Sequence, residues 1–408
     1  MKRYFMPEDK GDSYIAVCIL ITIFMNAFLA VINNNVVSIN QNVVIFVQLI
    51  ITVFSMYVVL RTANGNTVMY LNKMVVLFLL VLFSLAVRGG GGYMELYGLF
   101  VIPLYVLLGV NFKGDDYKFI KFMLCFICFF ALLEIFFVEI YIEIFNPLSY
   151  YTSTREWASK VLDNQGISSF DVADGDLYFG AYRPGGTISG LSHRVGSIFL
   201  EPLTLGFFGF FVFLFLYHLN SYKLKGIVLY SLACVFLAVV SDTRIAVFMI
   251  FLTIFLRYSS KFIPNMLVPL MPFLILFSVF SVYMFASGIL SSEMALRIGT
   301  TFDPFLNSNF LQIISGDLNF PEDITLGDSG LIKIISASGV LGTIYYYYLI
   351  TGVASGFKLD KIYTLSFTFF FVVITLFSVL VLSVKAAAAY AFFSGLVYGR
   401  INNRESNL

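Results

Sequence analysis

Charge is what this chain has least of. Lysine, arginine, aspartate and glutamate make up 12% of its 408 residues, where an ordinary soluble domain carries roughly a quarter. With 59% apolar residues, the shortage excludes a soluble globular protein, because no stretch is long enough to form a separate water-soluble domain. The net charge of +1 gives no sign of a nucleic-acid partner. Cysteine is also scarce: Cys18, Cys125, Cys128 and Cys234 all lie inside apolar runs. A redox or metal role needs accessible thiolates and further ligands, so these four read as small buried apolar residues, and no metal or cofactor is expected. The first apolar run, 14–33, lacks a small-residue cleavage site and is followed by more runs, so it reads as a first anchor rather than a removed signal peptide.

What remains is a succession of apolar runs along the whole chain. They predict an all-α polytopic integral membrane protein, a single transmembrane domain over 1–408. Twelve spans fall near 14–33, 43–60, 74–87, 96–110, 122–145, 197–219, 226–240, 245–256, 266–289, 329–352, 362–383 and 386–399. With a cytoplasmic N-terminus, sixteen lysines and arginines fall on the inner side and eight on the outer, which places both termini in the cytoplasm. Inner connections are short. Two outer connections, 146–196 and 290–328, are long enough to be functional, and Trp157, Tyr178, Tyr182, Phe302, Phe305 and Phe310 suggest partly folded caps. Any chemistry then faces outward.

A cation at membrane depth is a functional hypothesis by default, since an arginine at a helix centre costs roughly 2.5–3.5 kcal/mol on insertion scales. Two apolar runs flank Ser241-Asp242-Thr243-Arg244, and at helical rise they reach only about 18–23 Å against a hydrocarbon core of about 30 Å. The turn is therefore expected below the outer surface. Arg244 there either points into an outward-open polar pocket or pairs locally with Asp242. Short runs likewise flank Arg88-Gly-Gly-Gly-Gly-Tyr-Met-Glu95, which reads as an anion-approaching backbone or as a flexible turn.

The stretch His193-Arg-Val-Gly-Ser-Ile-Phe-Leu-Glu201-Pro202 stands at the mouth of a span. A residue before proline avoids helical geometry, and proline suits the first helical position, so a helix is predicted to start at Pro202 with Glu201 at its cap. Arg194 and Glu201 then share one outer boundary; an interfacial arginine and a helix-end carboxylate are the plain alternative. His193 adds a candidate proton carrier, while His218 reads as interfacial. Farther on, Asp328 or Ser329 is expected to cap the tenth span, Lys333 lies one turn deeper, and Ser338 and Gly342 form a small-residue face suited to close helix packing. Asp171-Val-Ala-Asp174-Gly-Asp176 lacks the full spacing of a calcium loop and reads as a solvated loop.

Arg194, Arg244 and Arg297, joined by Arg88 and Arg183, thus come from distant segments to one side of the membrane with few carboxylates among them. Forked guanidinium contacts suit phosphate, so a lipid phosphate or pyrophosphate substrate is expected.

The runs HRVGSIFLEPLTLGFFGFF, SDTRIAVFMIFL and GDSGLIKIISASGVLGTIYYYYL resemble three recurring signatures of bacterial Wzy-type polysaccharide polymerases, of the superfamily that also holds O-antigen ligases. The resemblance covers roughly residues 180–350. It implies a GT-C-like, multi-spanning, lipid-dependent glycosyltransferase of the bacterial cytoplasmic (inner) membrane. Such an enzyme moves a growing glycan from undecaprenyl pyrophosphate onto another lipid-linked repeat unit at the outer leaflet, building O-antigen, capsule or exopolysaccharide. Donor and acceptor lipid-linked glycans, membrane lipid and a chain-length regulator protein are the implied partners. Carried over by motif, Arg194, Arg244 and Arg297 hold pyrophosphate, with Glu201 close by; Glu201, His193 and Asp328 are the candidates for proton transfer. The ligase branch is expected to carry a histidine in the second long outer loop, and 290–328 has none, which favours polymerase over ligase. A flippase for lipid-linked oligosaccharide would place charges through the midplane and show internal repeats, which the sequence does not. A non-catalytic scaffold would have no need of arginines at buried hairpins.

Overall fold

The computed structural model describes residues 10–88, 93–155, 158, 177, 181, 187–218, 224–286, 292–319, 329–353, 360–378 and 382–405. Among them all regular structure is helical. The helices are α1 (Lys10–Asn35), α2 (Gln41–Arg61), α3 (Gly65–Arg88), α4 (Tyr93–Asn111), α5 (Asp116–Phe136), α6 (Val138–Phe145), α7 (Pro147–Thr154), α8 (Pro202–His218), α9 (Leu224–Val240), α10 (Arg244–Ser259), α11 (Met271–Ala286), α12 (Ser292–Leu306), α13 (Phe310–Ser315), α14 (Gly330–Ile350), α15 (Lys361–Phe377) and α16 (Val384–Glu405). Short polar side chains start several of them by accepting an amide of the first turn: Asn40 from Val43, Asp115 from Lys118, Ser329 from Ile332 and Asp360 from Tyr363.

Among the described residues five stretches are long and apolar enough to cross a membrane: Gly11–Asn35, Gln41–Arg61, Gly65–Arg88, Asp116–Phe136 and Arg244–Phe262. Shorter apolar helices lie at Tyr97–Asn111, Pro202–His218, Ile227–Val240, Met271–Phe285 and Lys361–Phe377. Large apolar side chains point outward along α2 and α3, Phe46, Val53, Leu79 and Phe83 among them. Water would penalise such surfaces and lipid does not, so the chain is a helical membrane protein.

The chain divides into two compact units, 1–62 with 112–250 and 388–393, and 63–111 with 251–387 and 394–408. At the centre of the first is α8, whose residues from Pro202 to Leu216 are buried with the exception of Leu203. A helix apolar on all sides belongs in a packed interior. Gly206 lets it approach the turn after α9: a methyl group there would fall 2.3 Å from the Thr243 Cβ. On the other side α1 and α7 are joined by polar contacts, Tyr150 donating to Asn26 Oδ1 at 3.2 Å and Asn33 Nδ2 to Ser149 at 3.3 Å. Asn146, left-handed at φ 37°, opens α7 by accepting the Ser149 amide, with Pro147 first in the helix.

Three expectations are corrected here. The 122–145 span is two helices, because Phe137 (φ −138°, ψ 56°) breaks it. Cys18 and Cys234 are buried, but Cys125 is exposed and Cys128 half-buried, since α5 turns Cys125, Phe129 and Leu132 outward together. In the second unit Ser338 and Gly342 do not form one continuous helix face, because α14 is interrupted at Gly339 (φ 64°, ψ 177°). Only glycine takes that backbone form readily. Close packing falls at Gly339 itself, where a methyl group would lie 2.2 Å from the Ile314 carbonyl oxygen of α13, and on α16, where one at Gly395 would lie 2.0 Å from the Val106 carbonyl oxygen of α4.

Candidate functional site

The first unit brings four of the sequence-predicted residues to one region: His193, Arg194, Glu201 and Arg244. The segment leading to α8 is fastened to the end of α9. The Val195 amide donates to the Val240 carbonyl at 3.0 Å, and Arg194 Nε donates to the Ser241 carbonyl at 3.2 Å. Helix α8 starts at Pro202, directly after Glu201, as the proline predicted. Between Arg194 and Glu201 the chain makes a 3₁₀ turn, Ser197–Phe199, with Ser197 at φ 51° and Leu200 at φ 57°. Both are non-glycine residues in the left-handed region, which costs roughly 1–3 kcal/mol each, so the surroundings must hold them there.

Those surroundings include a carboxylate that the sequence reading passed over. Glu134, near the end of α5, is 2% exposed. Both its oxygens accept from the Gly196 amide, at 3.1 and 3.0 Å, and Oε2 accepts from the Ser197 amide at 2.6 Å. His193 Nε2 lies 3.8 Å from Glu134 Oε1, and the other ring nitrogen lies 3.2 Å from the Ser192 hydroxyl. The signal was available, since an isolated acid within an apolar run already calls for a partner. What the sequence could not give was the partner, which is backbone from a segment about sixty residues later.

Glu201 is buried and makes an ion pair with Arg155, Oε1 to Nη1 3.9 Å, with Thr204 donating to Oε2 at 3.4 Å. The Arg155 guanidinium lies 4.3 Å above the Tyr151 ring centre, a cation–π contact that fixes its plane. Burial, and after it the charge of Glu201, hold the Tyr151 hydroxyl well above its ordinary range, against the opposing pull of Arg155. Tyr151 is thus a neutral support rather than a base. Nothing local in the sequence marks Arg155 as the neighbour of Glu201.

The Ser241-Asp242-Thr243 turn is wholly buried in the protein. Asp242 sits at φ 46° and accepts from the Ile188 amide at 3.1 Å. Arg244 differs from expectation. Its side chain is 56% exposed and lies 3.8 Å from Asp242 Oδ1, the local pair that was the alternative. The apolar stretch it opens, Arg244–Phe262, has 19 residues and reaches about 28 Å at helical rise, long enough to bring its first residue to a membrane boundary.

Compared with known proteins, the chain matches no family model, no curated protein and no solved structure.

Arg88 belongs to the second unit. It ends α3 and donates to the Ser336 carbonyl at the interruption of α14. Ser329, one of the two expected caps, caps α14. Arg183, Asp328, Trp157, Tyr178, Tyr182, the acidic 171–176 stretch and Gly89–Gly92 lie outside the described residues, as do the side chains of Glu95 and Arg297. A cavity of about 390 Å³ in the second unit is lined by mostly apolar residues of α11, α12 and α14 such as Phe273, Phe302 and Ile335; of its two hydroxyl residues, Thr343 donates to the Gly339 carbonyl and Tyr347 is bonded to Thr375. The cavity beside the candidate site is far smaller, about 10 Å³, but Glu134, Tyr141 and Arg194 line it. That is room for about one water among polar partners.

Proposed function

We propose that this protein is a Wzy-type polymerase. It joins undecaprenyl-pyrophosphate-linked oligosaccharide repeat units at the outer leaflet of the bacterial cytoplasmic membrane. It crosses that membrane twelve times, with both termini in the cytoplasm. The observation that carries the reading is the joining of two signature runs within one compact unit: Arg194 Nε donates to the Ser241 carbonyl at 3.2 Å, and the Thr243 hydroxyl donates to the Pro202 carbonyl at 3.2 Å. Arg194 and Arg244 thereby belong to the two sides of one buried turn, and Arg155 supplies a third guanidinium beside Glu201.

The reaction is substitution at the anomeric carbon of the donor glycan. A sugar hydroxyl of the acceptor attacks, the bond to the pyrophosphate oxygen breaks, and undecaprenyl pyrophosphate leaves. Arginines placed around the leaving group stabilise the charge that develops on it, and their planar forks grip two oxygens at once. The hydroxyl proton passes to Glu201 or His193. Arg297 and Arg183 join the phosphate-holding set in this reading, and Asp328 stands as a further acid.

Purified protein in lipid nanodiscs, given lipid-linked repeat units, should produce a ladder of longer glycans. Movement of unchanged repeat units across a vesicle membrane, with no ladder, would overturn the reading in favour of a flippase.

A further inference from the structure

In a polymerase site Arg155, Arg194, Glu201 and Arg244 have tasks, and Glu134 has none of theirs. Glu134 is nevertheless enclosed, at the end of a helix that is otherwise apolar from Phe122 onward. A carboxylate is retained at such a position only when groups nearby replace the water it lost. Here the replacements are the amides of Gly196 and Ser197, with the His193 ring beyond them. Gly196 and Ser197 belong to the turn between Arg194 and Glu201, and His193 stands just before Arg194.

That turn decides how the cation and the carboxylate face each other. It contains Ser197 and Leu200, both left-handed, and reverses the chain within a few residues. Its other fastenings leave the direction of the Gly196 and Ser197 amides to Glu134. The Ser197 hydroxyl donates to the Ile127 carbonyl at 2.8 Å, and Tyr141 donates to the Ser197 carbonyl at 2.6 Å. Neither of these touches an amide hydrogen of the turn. Oε2 accepts both amides and Oε1 shares that of Gly196, so each carboxylate oxygen is an acceptor here, and a glutamine offers only one such oxygen.

We propose that Glu134 is a positioning residue of the polymerase site. Its carboxylate clamps the Gly196 and Ser197 amides and so sets Arg194 and Glu201 against the donor and acceptor. The proposal rests on the polymerase reading. Glu134 touches no reacting atom; it acts through the turn. Glutamine at this place turns an N–H towards an amide donor and undoes at least one contact. Aspartate keeps the charge but withdraws it by one methylene.

The test uses the full chain in nanodiscs and has two arms. Amide hydrogen exchange over the peptide spanning 190–201 needs no substrate. Glu134→Gln should speed exchange at Gly196 and Ser197 while the peptides of α8 and α9 keep wild-type rates. The second arm is steady-state kinetics with lipid-linked repeat units, per folded molecule. Misplacing a site by about an ångström can cost about a hundredfold, so kcat should fall roughly ten- to a hundredfold in Glu134→Gln, and KM should move far less. Combining Glu134→Gln with Arg194→Ala should cost little beyond the worse single change, because both act through one arrangement. Should Glu134→Gln not fold, Glu134→Asp takes its place with the same expected directions.

Unchanged exchange at Gly196 and Ser197 overturns the proposal. So does a loss of folded protein with wild-type turnover in what remains, the mark of a purely structural acid. So do effects of Glu134→Gln and Arg194→Ala that simply multiply. If the wild type itself yields no polymer, the polymerase reading falls; faster exchange in Glu134→Gln would still uphold the clamp, and unchanged exchange would remove it.

Discussion

Arg155 Nη1 lies 3.9 Å from Glu201 Oε1, and the same guanidinium rests 4.3 Å above the Tyr151 ring. One partner comes from the mouth of α8 and the other from just after α7, forty-six positions earlier. Glu201 is buried, and Arg155 keeps about a quarter of its side chain exposed, 27%. The acid of the pair is thus enclosed, and the guanidinium is the partner that reaches the surface.

Arg155→Ala should lower polymer formation and destabilise the first unit together. Leaving the buried Glu201 carboxylate without its ion-pair partner costs about 1–3 kcal/mol, or roughly ten- to a hundredfold in rate where the pair acts fully in the transition state. Glan ladders per folded molecule and thermal unfolding in detergent measure the two effects. Wild-type ladders from Arg155→Ala would remove Arg155 from the site.

Glu201→Gln keeps the shape of the side chain and removes its charge. The protein should stay folded and in the membrane while polymer yield drops. Unchanged ladders at matched protein levels would reduce Glu201 to the residue that precedes a helix start.

Arg244→Lys keeps the charge and loses the fork. Most polymer formation should be lost, and Arg244→Ala should lose at least as much. The 56% exposure of Arg244 makes a folding defect a poor explanation for such a loss. Near-normal polymer from Arg244→Lys would mean that charge alone suffices there.

Gly206→Ala should destabilise the first unit, because the added methyl falls 2.3 Å from the Thr243 Cβ. Overpacking of this kind costs about 1–3 kcal/mol. Thr243→Gly removes the obstructing atoms and should recover part of the thermal stability of Gly206→Ala. No recovery would show that the Gly206–Thr243 approach is not what limits packing of α8.

Single cysteines at Ser168 and Asn309, in a chain whose four native cysteines are replaced, should react with an impermeant reagent from outside intact cells. Asn309 caps α13 and is exposed. Labelling at either position only after the inner face is opened would reverse the orientation.

The sequence alone determined that this is a helical membrane protein, because apolar run length and the scarcity of charge leave few other ways to satisfy a backbone in lipid. It also determined where α8 begins, since Glu201-Pro202 restricts the backbone locally. Only the tertiary structure decided which groups meet. Glu134 holds amides 62 and 63 positions away, and Arg155 pairs with Glu201, because packing of α5, α7 and α8 brings them into reach; no local periodicity encodes such distances. The interruption at Gly339 was equally hidden. A small-residue run is compatible with close packing or with a break, and which one occurs depends on the backbone of α13 lying against α14, where a methyl group at Gly339 would fall 2.2 Å from the Ile314 carbonyl oxygen.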